Sequence, residues 1–145
     1  MLTKQTASEK REVIFTPHPG ELAALAHCRI ADIKEDRLIA EAVSGEYGVT
    51  VVAKDADTMC VKVGEIKYLN TTGNDGMATA GSGDVLAGLT ASFIAQTART
   101  PISIYEAVCL AVLTHGYAAD NCVEKCGKRF MVASDIIEAY KYILK

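Results

Sequence analysis

Nowhere in the 145-residue chain do eighteen apolar residues run without interruption, so no membrane-spanning helix is expected. The opening residues, MLTKQTASEKREV, lack the apolar centre of a signal peptide, and a cytoplasmic location is the expectation. Positive charge is not in excess. Fifteen Lys and Arg stand against eighteen Asp and Glu, a net charge of −3, which gives no reason to expect nucleic-acid binding and leaves any anion site to local geometry. Cysteines are few and scattered: Cys28, Cys60, Cys109, Cys122 and Cys126. An odd set in a chain without a secretion signal reads as free thiols. Cys122 and Cys126 share a helix face at i, i+4, with His115 two turns earlier, but the second close pair that zinc wants is missing, so helix packing is the expected role. Repeats, low-complexity tracts and linkers are absent too. With half of its residues hydrophobic and 23% charged, the chain suits one ordinary globular domain spanning 1–145 and not a disordered segment.

What is present divides into strands early and helices late. Val13-Ile14-Phe15 is an apolar run halted by Thr16-Pro17-His18-Pro19-Gly20, the pattern of a strand ending in a rigid loop. Residues 21–27 suit a short helix. Ile33, Leu38, Ile39, Ala42 and Val43 mark one face of a second helix over 32–44, ended near Gly45. Residues 50–53 form a compact buried strand. Segments 58–63 and 66–69 make two more, joined as a hairpin across Gly64-Glu65. Three helices follow, over 83–96, 103–122 and 134–144. The last starts at Ser134 or Ala133, with Asp135 favourable at the positive end of the dipole. The order predicts a layered α/β protein.

Three stretches carry chemistry. In Gly81-Ser82-Gly83-Asp84 two glycines allow left-handed backbone angles and gather N–H groups into one concavity, and the helix that follows adds its positive end. That is a seat for phosphate oxygens. The plainer alternative is a glycine turn with Asp84 capping the helix. An acid beside an anion seat costs stability unless it binds a metal or takes a proton from a hydroxyl. The preceding Asn70-Thr71-Thr72-Gly73-Asn74 is too polar to be core. In Thr16-Pro17-His18-Pro19-Gly20-Glu21, two prolines hold His18 in an extended loop at a strand end, where α/β proteins bind ligands; a stiff surface turn is the alternative. In Lys54-Asp55-Ala56-Asp57-Thr58, Lys54 can meet a phosphate and Thr58 can hydrogen-bond a nucleotide, or the stretch is an ordinary charged hairpin turn.

Together, TPHPGE, K-x-x-x-T and NTTG-x-x-GMAT-x-GSGD-VL-x-G resemble the ADP/ATP-dependent NAD(P)H-hydrate dehydratases, members of the ribokinase-like superfamily often labelled carbohydrate kinases. THGYAAD and ASDII further along also look like that family. The resemblance implies the C-terminal portion of a ribokinase-like three-layer α/β/α fold, about half of the family domain. It implies ADP or ATP with Mg2+ as cofactors and the S-hydrate of NADH or NADPH as the small-molecule substrate, dehydrated through phosphoryl transfer. Asp84 would contact the hydrate and act as base on its hydroxyl. Gly81, Ser82 and Gly83 would form the anion hole, Lys54 and Thr58 would lie at the nucleotide, and His18 near the hydrated nicotinamide. Asn70, Thr71 and Thr72 would form a supporting loop, and no side chain is assigned to the metal. Neither nucleic acid nor membrane is an expected partner. Half a domain would leave an open sheet edge, so homo-oligomerisation is expected. Asp55, Ala80 and Asp75 depart from the pattern, replacing glycine, glycine and proline. A superfamily kinase acting on a hydroxymethyl group of a carbohydrate or vitamin precursor, and an inactive nucleotide-binding fragment, are the alternative functions.

Overall fold

A computed structural model describes residues 12–144, which fall into two compact units divided between Leu69 and Asn70. The first unit is a mixed sheet with three helices. Its strands are β1 (Ile14–Phe15), β2 (Thr50–Ala53), β3 (Met59–Val61) and β4 (Tyr68–Leu69), lying in that order across the sheet. β1 runs parallel to β2, with Ile14 opposite Thr50 and Phe15 opposite Val51. The β2–β3 and β3–β4 pairs are antiparallel, the second as the Gly64-Glu65 turn predicts. β2 reads as a continuous apolar run because it is buried on both faces: Val51 and Val52, pointing opposite ways, are both fully buried.

Between β1 and β2 the chain crosses over through α1 (Pro19–Leu25), α2 (Ile30–Glu35) and α3 (Leu38–Tyr47). Leu22, Ala40 and Val43 pack with Val49, Val51 and Val61 into the core of this unit. The single helix expected over 32–44 is two helices. Asp36 is extended, at φ −130° and ψ 101°, and its Oδ1 accepts the Leu38 N–H at 2.8 Å. A short acid that binds the backbone two residues on forms a turn and restarts the helix, despite an unbroken apolar pattern. Gly45 does not stop α3; Gly48 does, at φ 66°.

The second unit is helical: α4 (Ser82–Gln96), α5 (Ile104–Cys126) and α6 (Ala133–Ile143), with α4 and α6 both packed on α5. Ala118, Ala119, Cys122, Met131, Ile136 and Ala139 form its buried centre. α5 begins in a reciprocal cap. Ser103 Oγ accepts the Glu106 N–H at 3.1 Å, while Glu106 Oε2 accepts the Ser103 N–H at 2.7 Å. It runs one turn past the expected end, to Gly127. α6 is entered one to two residues earlier than expected, at Val132, whose N–H donates to Asp135 Oδ2 at 2.9 Å.

Candidate functional site

The glycine-rich turn sits at the start of α4. Gly81 holds φ 86°, an angle that L side chains rarely adopt, and a Cβ there would stand 3.3 Å from the Cβ of Ala133. The first helical hydrogen bond runs from the Val85 N–H to the Gly81 carbonyl at 3.0 Å. The N–H groups of Gly83 and Asp84 therefore lie in the open first turn, and no side chain caps it. This corrects the capping alternative for Asp84. The N-cap is Gly81, and the exposed Asp84 carboxylate, three residues further on, makes no capping hydrogen bond back to it. Open N–H groups, the positive end of a fifteen-residue helix and one exposed carboxylate are thus gathered within four residues. Ala80 has no left-handed angle, so a side chain fits where the family pattern has glycine.

Ser82 turns the other way. It is buried, and its Oγ lies 3.3 Å from Nε2 of His115 in α5, whose Nδ1 is 2.8 Å from the Tyr140 hydroxyl in α6. Burial pushes the His115 imidazole down to about 4, so it is neutral at pH 7, and burial also raises the Tyr140 phenol above its ordinary value. The polar loop before the turn is pinned to the same helix. Asn70 Nδ2 donates to the Thr72 carbonyl at 2.7 Å, and Thr72 Oγ1 lies 2.9 Å from Asn70 Oδ1 and 3.1 Å from the Leu113 carbonyl. Asp120 accepts the Gly73 N–H at 2.8 Å and Asn74 Nδ2 at 3.0 Å. Thr71 is exposed. Asp75 opens a 3-10 turn and pairs at the surface with Lys128 Nζ at 2.7 Å, which holds its carboxyl below the usual range.

In the first unit the Lys54 N–H donates to the Pro17 carbonyl at 2.9 Å, which brings the proline loop against the end of β2. His18 is the N-cap of α1. Its Nδ1 accepts from Gly20 and Glu21 at 3.1 and 3.2 Å, and its own N–H donates to Glu21 Oε2 at 2.8 Å. The ring is exposed but has a structural task, capping α1, that neither the ligand reading nor the stiff-turn alternative gave it. Lys54 lines a cleft of about 300 Å³ floored by Leu22, Ala40 and Met59, with Lys34, Arg37 and Asp55 on its walls. Asp55 Oδ1 accepts the adjacent Ala56 N–H at 2.8 Å, and Thr58 Oγ1 donates to the Asp55 carbonyl at 3.2 Å, so Thr58 is turned into its own loop.

Cys122 and Cys126 donate to the carbonyls of Asp135 and Cys122, each at 3.2 Å. Among the described residues no three His, Cys, Asp or Glu side chains gather as a metal site. His115 entered the reading of the residues themselves only as a neighbour of Cys122 and Cys126, not as the partner of Ser82, and Gly116 and Asp120 escaped it. Their signal is an acid and a glycine set within the otherwise apolar middle of α5.

Residues 1–141 match the carbohydrate-kinase family (Carb_kinase) described as NAD(P)H-hydrate dehydratase. The chain is 37% identical over 144 residues to the bifunctional NAD(P)H-hydrate repair enzyme of Moorella thermoacetica, covering 99% of this chain and 26% of that protein. It is 36% identical over 143 residues to the ADP-dependent (S)-NAD(P)H-hydrate dehydratase of Neisseria meningitidis serogroup B, covering 97% and 47%. The chain thus spans a quarter to about half the length of these relatives, along their C-terminal part. Among solved structures, the ADP/ATP-dependent NAD(P)H-hydrate dehydratase of Bacillus subtilis, co-crystallised with ATP and Mg2+, superposes with a TM-score of 0.82 at 24% identity, over 97% of this chain and 52% of that one. A ribokinase-like superfamily protein of Enterococcus faecalis superposes at 0.76 and 31% identity, over 90% and 43%. The mixed α/β fold is therefore ribokinase-like, and the chain belongs to the NAD(P)H-hydrate dehydratase family.

Proposed function

We propose that this chain serves nicotinamide-cofactor repair, the nucleotide-dependent dehydration of the S-hydrate of NADH or NADPH, with the cytoplasm as its setting. One observation carries the reading: the exposed Asp84 carboxylate stands in the uncapped first turn of α4, directly beside open N–H groups. Hydroxide is a poor leaving group and phosphate a good one, so dehydration is eased by first moving a phosphoryl group onto the hydrate's hydroxyl. ADP or ATP supplies that group when bound. Asp84 takes the hydroxyl proton as the new O–P bond forms and the nucleotide's P–O bond breaks. At the Gly81-Ser82-Gly83 anion hole, the open N–H groups of Gly83 and Asp84 neutralise the phosphoryl oxygens, while the Ser82 N–H stays on the Thr79 carbonyl at 3.3 Å. Loss of phosphate with a ring proton then restores the reduced nicotinamide. Lys54 is the proposed nucleotide contact in its cleft and His18 the proposed nicotinamide neighbour, with Thr58 supporting the Lys54 loop. One or two carboxylates plus phosphate oxygens and water suffice for magnesium, and with Asp84 kept as the base no side chain is assigned to the ion.

The test is turnover of S-hydrated NADH with ADP, followed by the absorbance of the reduced nicotinamide. Asp84→Asn is expected to lose on the order of a hundredfold or more; equal rates in the two proteins would remove Asp84 as base. We further propose self-association. β1 is an edge of the sheet among the described residues, and Val63 and Ile66 are 70% and 90% exposed. Light scattering after size exclusion should report a species larger than a monomer, and a stable monomer would refute this.

A further inference from the structure

The buried imidazole of His115 has no part in the reaction just described, yet both of its nitrogens are engaged. It is 4% exposed and Ser82 is 7% exposed, so neither group has water as a ready substitute. A neutral imidazole carries one N–H, so donation runs either from Tyr140 through His115 to Ser82 or in the opposite direction. In both arrangements Ser82 Oγ is tied to α5. Ser82 is also the only residue of Gly81-Ser82-Gly83 with a side chain. Among the described residues, its link to His115 is the one side-chain hydrogen bond from this turn that can set its rotation against the helices beneath it. The same short segment of α5 holds the polar loop: a Cβ on Gly116 would lie 2.3 Å from Thr72 Oγ1, and Asp120 binds Gly73 and Asn74. One helical stretch thus seats both loops of this unit.

We propose that His115 is a positioning residue which, through Ser82, keeps the open N–H groups of Gly83 and Asp84 aimed at a single phosphate-sized anion. This rests on the reading of that turn as a phosphate seat. Tyr140 fixes the imidazole from behind, and the two glycines let the turn follow whatever Ser82 does.

The experiment compares the native chain with Ser82→Ala, His115→Phe, His115→Gln and the Ser82→Ala/His115→Phe double variant by amide NMR, first without ligand and then titrated with inorganic phosphate. Without ligand, the Gly83 and Asp84 amide signals should move alike in Ser82→Ala and His115→Phe, and return toward native positions in His115→Gln, which keeps a hydrogen-bonding side chain. With phosphate, each single loss should weaken binding by about tenfold, and the double variant no further than the weaker single one. Additive losses, or Gly83 and Asp84 signals that stay put when His115 is replaced, would overturn the link. If His115→Phe does not fold, Tyr140→Phe and Ser82→Ala give the same comparison from the two ends of the chain of contacts. A native chain that binds no phosphate, with the amide signals still coupled, would overturn the phosphate-seat reading instead, so the two failures are distinguishable.

Discussion

Gly116 and Gly88 both lie within helices, and substituting alanine at them should have opposite outcomes. A Cβ on Gly116 would meet the Thr72 hydroxyl at 2.3 Å and the Thr72 carbonyl oxygen at 2.6 Å. The hydroxyl can rotate away but a backbone carbonyl cannot, so Gly116→Ala must push the polar loop off α5 and strain the Asp120 bonds. The expected cost is about 1–3 kcal/mol, the range for overpacking a close contact. At Gly88 nothing stands within 4 Å of the added carbon, and the position is an exposed one inside α4. Gly88→Ala should stabilise by about 0.4–1 kcal/mol through the unfolded chain and the helix propensity. Urea unfolding of the two variants beside the native chain checks both signs; a neutral Gly116→Ala would mean the loop is not held by this contact.

Among the elements, α4 was the most legible, expected over 83–96 and found over Ser82–Gln96, whereas α5 overran its expected end by a turn after starting in a Ser-x-x-Glu cap. Removing the cap oxygen with Ser103→Ala should cost about 1 kcal/mol, read as a lower unfolding midpoint. Glu106, held below the usual carboxylate range by the Ser103 N–H and hydroxyl, would return toward its ordinary value, which NMR titration of the side chain follows. The strands were legible in place, but β3 and β4 are shorter than the expected 58–63 and 66–69, at three and two residues. The α2–α3 break was hidden. Ile33, Leu38 and Ile39 keep a helical rhythm across it, and only the Asp36 side chain, competing for the Leu38 N–H, decides against one helix. Helix ends shifted for the same kind of reason: Asp135 serves from three residues inside α6 instead of standing at its threshold.

For the molecule as a whole, the candidate site was legible where chemistry sits in contiguous motifs and illegible where support comes from far along the chain. Gly81 to Asp84 announced themselves, but His115 lies 33 residues from Ser82 and Asp120 lies 47 from Gly73, and neither pairing leaves a local pattern. That buried support gives the protein a specific dependence on acid. His115 titrates at about 4 in the fold against an ordinary 6.5. Above pH 6.5 neither the folded nor the unfolded chain protonates this ring. Between 6.5 and 4 only the unfolded chain takes the proton, so stability falls as pH falls, by about 3 kcal/mol across the window. Below 4 the folded protein protonates too, and this contribution stops changing. Asp32, Asp75 and Glu106, held below the carboxylate range by Arg29, Lys128 and Ser103, lose their contributions lower still, so they do not mimic the effect near pH 6. Urea unfolding at pH 7, 5.5 and 4.5 should show a steep decline in the native chain and a shallower one in His115→Gln, which has no imidazole to charge. Equal slopes in the two proteins would mean that the ring is not buried neutral in solution.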